Sequence, residues 1–294
     1  MLISRQNLSI VIVTFKSDVV IHKCIRSINE DIKIIVVENS NNTQFKDELE
    51  STYKNVSCIL SLDNLGMGAG NNIGINKANT DFVLILNPDV ILEQKTISEL
   101  MIASQKISDF AILAPISSDS NYPNYKLEKN KKIIIKDKNP FKVKSVDGFA
   151  MLFNKKKLDK IICENYFDEH FFMYLENDDL CKRIVDAQED IYIAPNSKIK
   201  HLGGKAVDIK YKNEVEFARN WHWIWSKFYF NKKHYGYSIA FVKGFPKFLS
   251  SLGKYVFYSL VKNKTKKKIY LNRILGFFNA AINKKSWYRP SINF

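Results

Sequence analysis

Residues 64–89 read NLGMGAGNNIGINKANTDFVLILNPD, and this stretch constrains the fold more than any other. A glycine- and asparagine-rich turn opens a segment with helical spacing. An apolar run, 82–86, follows as a strand and ends directly in Asn87-Pro88-Asp89. That order sets a glycine turn, a helix N-terminus and a strand-end carboxylate side by side. Helix N-termini and glycine turns present unpaired N–H groups to anions, and open α/β sheets collect ligands at the carboxyl ends of their strands. The expectation is an α/β enzyme that holds a nucleotide diphosphate.

The rest of the chain extends the alternation. Residues 8–15 form a continuous β-branched run, read as a buried parallel strand. Apolar residues at helical spacing follow over 18–29, and a second strand over 32–37 ends in the turn-rich segment 38–42. Further strands are read at 56–60, 82–86 and 110–114, with helices at 67–78 and 94–107. Strands alternating with helices imply βαβ units and a mostly parallel central sheet with helices on both faces. Beyond Pro115 the pattern stops. Residues 117–145 are polar and lysine-rich, with weak strand character at 132–135, and read as an exposed insertion. A strand is expected over 145–153, where Gly148 permits close backbone approach. An aromatic cluster leading into a helix covers 168–186, a short strand 191–195, and a glycine loop 201–204. From about 213 the reading is helical, with breaks near Gly236, at Gly244-Phe245-Pro246 and near Asn263. The expected division is a catalytic domain over 1–205 and a helical region over 206–294.

The formal charge of +15 is unevenly placed. Residues 217–294 hold 16 of the 45 Lys and Arg and no Asp or Glu, which leaves 29 basic and 30 acidic side chains in the first 216. The same region holds all four Trp. Nucleic-acid binding or a solvated basic surface would suit the charge alone. The interleaving of Trp221, Trp223, Trp225, Phe228, Tyr229 and Phe230 with Lys227, Lys232 and Lys233 favours a segment lying on an anionic membrane surface instead, without nucleic acid. Each basic residue near such a surface contributes roughly 1 kcal/mol. The best apolar window, 237–261, is interrupted by Lys243, Lys247 and Lys254, whereas a span needs about 20 largely uncharged residues. No secretory signal is read before the first strand, and Cys24, Cys58, Cys163 and Cys181 lack metal-site spacing. They read as buried free thiols in a reducing, cytoplasmic compartment, with the enzyme peripheral on the inner face of the membrane.

Three constellations carry chemistry. Asn87-Pro88-Asp89 is good turn chemistry by itself. At a strand end it also suits a divalent cation that takes a carboxylate oxygen plus substrate phosphates, with Mg²⁺ or Mn²⁺ expected. Asn64, Gly66, Gly68, Gly70, Asn71, Asn72 and Gly74, with the glycine pattern GxGxxxG, cap and pack a helix, or line a nucleotide. Their spacing is not the dinucleotide fingerprint GxGxxG. Glu176-Asn177-Asp178-Asp179 suits a helix macrodipole, or supplies a general base for an acceptor hydroxyl beside the aromatic wall of Phe171, Phe172 and Tyr174. His201, flanked by glycines, reads either as structural or as a metal or phosphate ligand.

Six segments in order, SIVIVTFKS, IIVVENSNN, the 64–89 stretch, VDGFAMLFNKKKL, FDEHFFMYLENDDLCKR and HLGG, resemble the family 2 inverting glycosyltransferases, in particular bacterial rhamnosyltransferase-like enzymes of surface-polysaccharide assembly. The likeness covers roughly residues 8–205. It implies a GT-A fold, the nucleotide-diphospho-sugar transferase fold, with a helical basic C-terminal extension. It also implies a dTDP- or UDP-linked donor and a glycan or polyprenyl-diphosphate-linked acceptor. Thr14, Glu38 (in place of the usual Asp), Asn64, Gly66, Gly70, Asn71, Asn87 and Asp89 would contact the nucleotide. Asp89 and His201 would hold the metal. The family's Glu-Asp pair reads Glu176-Asn177 here, and an amide cannot accept a proton as the usual Asp does. Glu176 is the expected base, with Asp178 and Asp179 as substitutes. A nucleotidyltransferase is the first rival, although Thr14-Phe15-Lys16-Ser17 lacks its glycine-rich basic loop. A non-catalytic nucleotide-sugar-binding protein is the second.

Overall fold

The computed structural model describes residues 2–28, 31–107, 109–128 and 138–290, so the expected strand character at 132–135 lies outside the described residues. The chain divides into two compact units. One comprises Met1–Asp168 and Asn177–Asp208, the other Glu169–Glu176 and Ile209–Phe294.

The first unit opens with β1 (Leu8–Thr14), α1 (Asp18–Ile28), β2 (Lys33–Glu38), α2 (Thr43–Thr52), β3 (Val56–Leu60), α3 (Met67–Lys77) and β4 (Phe82–Leu86). It continues with β5 (Val90–Leu92), α4 (Thr96–Gln105), β6 (Ile112–Ser117), β7 (Tyr125–Lys126), β8 (Phe141–Val143), β9 (Ser145–Val146), β10 (Ala150–Asn154) and α5 (Lys155–Ile161). The helix α6 (Glu176–Asp186) and the strand β11 (Ile191–His201) complete it, apart from Glu176. The main sheet runs β3-β2-β1-β4-β10-β6-β11-β5, with β8 also paired to β11. Pairing is parallel through β3-β2-β1-β4 and between β6 and β11, while β10, β5 and β8 are antiparallel to their neighbours. Both faces are covered. Ile10, Ile12 and Leu84 pack with Ile21, Phe45 and Leu100 on one side. Val11, Val83 and Ile85 pack with Ile75, Leu158 and Leu180 on the other. Residues alternate across a strand, so a strand buried on both faces reads as an unbroken apolar run.

Local chemistry explains where the structure departs from the sequence reading. Helix α2, not read from the sequence, is polar except for Phe45 and Leu49, and it starts where the Asn42 side chain accepts from the Phe45 N–H at 3.1 Å. The expected single strand over 145–153 splits into β9 and β10 around Asp147-Gly148-Phe149. The expected strand 191–195 runs on to His201, because Ile199–His201 pairs antiparallel with β5. His201 is therefore a strand residue and not a loop residue. Of the cysteines, Cys163 is exposed, against the expectation of four buried thiols.

The second unit consists of α7 (Lys212–Tyr235), α8 (Tyr237–Leu260) and α9 (Lys264–Ala281), with Glu169–Glu176 packed among them. Gly236, with φ near +87°, ends α7, and the Asn263 side chain caps α9. Helix α8 continues through Gly244-Phe245-Pro246, where a break was expected. The Phe277 ring of α9 would come within 2.8 Å of any Cβ at Gly244, so this glycine serves close helix contact. The aromatic run assigned above to a lipid surface is mostly core. Trp221, Trp225 and Phe228 are buried against Ala240, Phe277 and Ala280, and these large rings fill the space where α7, α8 and α9 meet. The Ser226 and Ser286 hydroxyls donate to the carbonyls of Met173 and His170, which ties 169–176 to these helices. Among the described residues, no helix is long and apolar enough to cross a membrane.

Candidate active site

The parallel register aligns the carboxyl ends of the central strands. Thr14 stands opposite Glu38, and Ile12 opposite Leu86 just before Asn87. Thr14 is buried and its hydroxyl faces the Val37 carbonyl at 3.5 Å. Glu38 is also buried. Its carboxylate accepts from the N–H groups of Ser40 at 3.0 Å and Asn42 at 2.9 Å and from the Ser40 hydroxyl, so it shapes the loop after β2. Next to it, the Asn39 amide donates to the Gly66 carbonyl at 3.0 Å. This bond joins the β2 loop to the glycine turn that opens α3.

The turn is built for close approach. The Asn64 side chain accepts from the Gly66 N–H at 3.1 Å, and Gly66 adopts φ near +87°, a conformation that favours glycine. Behind it, α3 lies directly on β1. A Cβ at Gly70 would come within 2.8 Å of Val13, and one at Gly74 within 2.3 Å of Val11. Asn72 exchanges two hydrogen bonds with the Phe167 backbone, at 2.8 and 2.9 Å, and is a structural clamp.

Asn87 and Asp89 follow β4. The Asn87 N–H donates to the Phe149 carbonyl at 2.9 Å, and the turn closes from Val90 back to Asn87. Asp89 is 2% exposed. One of its oxygens, Oδ2, accepts from the Lys205 N–H at 3.3 Å, while Oδ1 lies 3.4 Å from His201 Nε2. The ladder explains this meeting: His201 pairs with Val90 across β11 and β5, which sets its ring beside the preceding residue. The Phe149 ring stacks on the imidazole, with centroids 4.1 Å apart, and fixes its plane. Below them, burial and the neighbouring Asp89 charge push the Cys24 thiol up to about 12, so it stays a neutral donor toward the Asn87 carbonyl.

Four buried acceptors in this region, Asn39 Oδ1, Asn71 Oδ1, Asn87 Oδ1 and Asp89 Oδ1, have no hydrogen-bond partner. Buried polar atoms are almost always paired, so a set of open oxygens on the loops after β2 and β4 and on the first turns of α3 fits hydroxyl donors or a cation. Asp89 and His201 offer one carboxylate oxygen and one imidazole nitrogen, a fitting pair for a hard divalent ion completed by phosphate oxygens. Among the described residues, no group of three or more His, Cys, Asp or Glu could hold a metal without such help.

The 176–179 segment is less uniform than its acidity suggests. Asp179 is fully buried and pairs with Arg183 at 2.9 Å one turn along α6. That ion pair makes it an anchor, which argues against the expected base role. Asp178 pairs with Lys126 at 2.7 Å. The Asn177 amide donates to the Val146 carbonyl at 2.9 Å and packs against Gly148. Glu176 begins α6 and belongs to the second unit, preceded by Tyr174 and Leu175 with φ of +71° and +68°. Two consecutive left-handed side-chain-bearing residues are strained, and such strain concentrates at functional sites.

Three residues here were not singled out from the sequence. Asn39 was hidden in a turn-rich run, and Phe149 looked like an ordinary strand residue. Asp147 stands beside Gly148. Burial first, and then the Asp178 charge, raise its carboxyl pKa, against the pull of Lys126 and His201. Only the Asp-Gly pair at the start of an apolar strand could have flagged it.

The model of glycosyl transferase family 2 matches residues 9–162, more than half of the chain. The chain belongs to glycosyl transferase family 2. This glycosyltransferase is 27% identical over 218 residues to the low-salt glycan biosynthesis hexosyltransferase Agl10 of Haloferax volcanii, covering 69% of this chain and 68% of that protein. It is 25% identical over 242 residues to the rhamnosyltransferase WbbL of Escherichia coli K12, covering 73% of this chain and 88% of that protein. Its fold matches the structure of GalNAc-T7 solved with UDP, GalNAc and Mn²⁺, at a TM-score of 0.55 and 14% identity over 66% of this chain. The match spans less than half of that structure, 43%. The glycosyltransferase therefore has the GT-A fold with a helical C-terminal region.

Proposed function

We propose that this glycosyltransferase moves a hexose, rhamnose or a similar sugar from a dTDP- or UDP-linked donor to a hydroxyl of a surface-glycan or polyprenyl-diphosphate-linked acceptor, with inversion. The observation that carries the reading is the open Oδ1 of Asp89, buried at the end of β4 and 3.4 Å from His201 Nε2. The names of the two curated relatives support the sugar class, and the ligands of the GalNAc-T7 structure support a nucleotide and a divalent ion.

In this reading, Asp89 and His201 would hold Mg²⁺ or Mn²⁺, which when bound would supply positive charge against a departing diphosphate. Asn39, Asn71 and Asn87 offer their open oxygens to ribose or sugar hydroxyls. The turn at Gly66 brings the N-terminus of α3 close to the diphosphate and adds its dipole. Phe149 holds the His201 ring in plane. A carboxylate at the start of α6, Glu176 first and Asp178 second, accepts the proton of the acceptor hydroxyl. Asn177 holds the β9–β10 turn through Val146 and takes no proton. The enzyme works while peripheral on the inner face of the cytoplasmic membrane, where a lipid-linked acceptor would lie. The absence of acidic side chains from 217–294 supports this location.

Donor turnover with and without EDTA tests the site in the wild type, Asp89→Ala and Glu176→Gln. Loss of activity in EDTA and in Asp89→Ala is expected, with recovery in Mn²⁺ for the wild type alone. Full activity in Asp89→Ala would remove the metal assignment, and full activity in Glu176→Gln would move the base to Asp178.

A further inference from the structure

Helix α8 carries an apolar face that the second unit leaves uncovered. Ile239, Val242, Phe245, Leu249, Val256 and Leu260 recur at steps of three, four and seven residues and are 37% to 76% exposed. This spacing puts them on one side of the helix. The opposite side, at Ala240 and Ser251, is buried. From Ile239 to Leu260 the exposed stripe runs about 32 Å. Isolated exposed apolar residues are ordinary, but a continuous stripe of this length marks a binding surface.

One border of the stripe is basic. Lys243, Lys247 and Lys254 are four and seven residues apart and fall in a single row. Lys243 and Lys247, together with Lys227, also line a cleft of about 440 Å³ between α7 and α8. No acidic residue lies on α8 or anywhere in 217–294. An apolar face near a lysine row and free of carboxylates complements an anionic lipid surface; Lys243 now donates to Asn231 Oδ1 at 3.1 Å and Lys254 lies over the Tyr270 ring, and both ammonium groups would turn from these neighbours to the headgroups on docking. A second copy of the chain would bring two such lysine rows together with no acid to offset them, so self-association is the poorer match.

We propose that α8 is the membrane-docking element of this enzyme, lying in the plane of an anionic phospholipid surface with the Val242–Leu249–Val256 stripe inserted. This rests on the peripheral membrane association proposed above and moves the contact from the tryptophans of α7 to α8. It agrees with the finding that no described helix can cross a bilayer.

Liposome flotation of the full chain tests it, using phosphatidylglycerol-containing and pure phosphatidylcholine vesicles at physiological salt. The wild type is expected to float with the anionic vesicles only. Val242→Asp/Leu249→Asp is expected to lower the bound fraction at least about tenfold, and Lys243→Glu/Lys247→Glu/Lys254→Glu to do the same. Unchanged tryptophan emission shows that each variant is folded, since the substituted side chains are on the surface. If the wild type floats and the α8 variants float equally well, the docking element lies elsewhere, and the peripheral location survives. If the wild type floats with neither vesicle, both ideas fall. A dimer by light scattering that Val242→Asp/Leu249→Asp dissolves, without vesicle binding, would make the stripe a self-interface and overturn the proposal.

Discussion

His222 makes the helical unit sensitive to acid in a way that can be calculated. Its side chain is fully buried on α7, its Nε2 lies 2.7 Å from the Tyr288 carbonyl, and Nδ1 has no partner. Nε2 therefore carries the hydrogen, and the ring is neutral. Burial first, and the nearby Arg289 charge as well, lower its pKa from 6.5 to about 3, although the bond to Tyr288 pulls the other way. A depressed folded pKa contributes stability that is present above the unfolded value and lost as pH falls from 6.5 toward about 3. Each pH unit inside that window costs about 1.4 kcal/mol, so moving from pH 7 to pH 5 removes about 2 kcal/mol through this one group. The assay is urea unfolding followed by tryptophan emission. It reports on the right unit, because Trp221, Trp223, Trp225 and Trp287 all lie within it. His222→Gln keeps a donor for the Tyr288 carbonyl and cannot titrate. Its stability is expected to fall between pH 7 and pH 5 by about 2 kcal/mol less than that of the wild type, whatever its absolute value. Equal losses in the two proteins would refute the argument, because every other titrating group is common to both.

Other outcomes follow from the site. Asp89→Asn is expected to abolish Mn²⁺-dependent turnover while leaving the thermal midpoint equal or higher, since it replaces a buried carboxylate with an open oxygen; calorimetry and a donor assay on one preparation check both halves. Gly74→Ala forces a Cβ against Val11 at 2.3 Å and is expected to cost about 1–3 kcal/mol in urea unfolding. Asn177→Asp restores the carboxylate of the family's usual pair but sets it against the Val146 carbonyl. A loss of about 1–3 kcal/mol is expected, and unchanged stability in melts would show that this amide is not a needed donor. For Asp147, a raised folded pKa means that the group's stabilising share is present below its ordinary 3.8 and disappears as pH rises past the raised value. Asp147→Asn should therefore melt higher than the wild type at pH 7 but not at pH 4.

Much of the α/β unit was legible from hydrophobic pattern, because strands such as Leu8–Thr14 and Phe82–Leu86 are buried on both faces and so carry unbroken apolar runs. The Asn-Gly turn and Asp89 stood out for a related reason: their chemistry is local, a turn or a strand end within one short stretch. What stayed hidden depends on long-range pairing. His201 looked like a loop residue until β5 extended its strand, and Phe149 has meaning only as the ring stacked on that imidazole. Asp179 and Asp178 are equivalent in sequence, yet Arg183 and Lys126 separate them into a buried anchor and a surface pair. The tryptophans of α7 misled because aromatic residues fill a helical core as readily as they lie on lipid, and only the packing of α9 decides between the two.

The path of the chain has a practical corollary. Residues Glu169–Glu176 leave the sheet unit, join the helices and return, and the chain leaves again at Ile209, so it passes from one unit to the other three times. A fragment cut after β11 would keep Phe171 and Phe172 but discard the Tyr229 and His222 rings that cover them. Expression of the sheet portion by itself should therefore yield sticky, insoluble material, and exchange of the helical portion among relatives would have to carry this eight-residue loop with it.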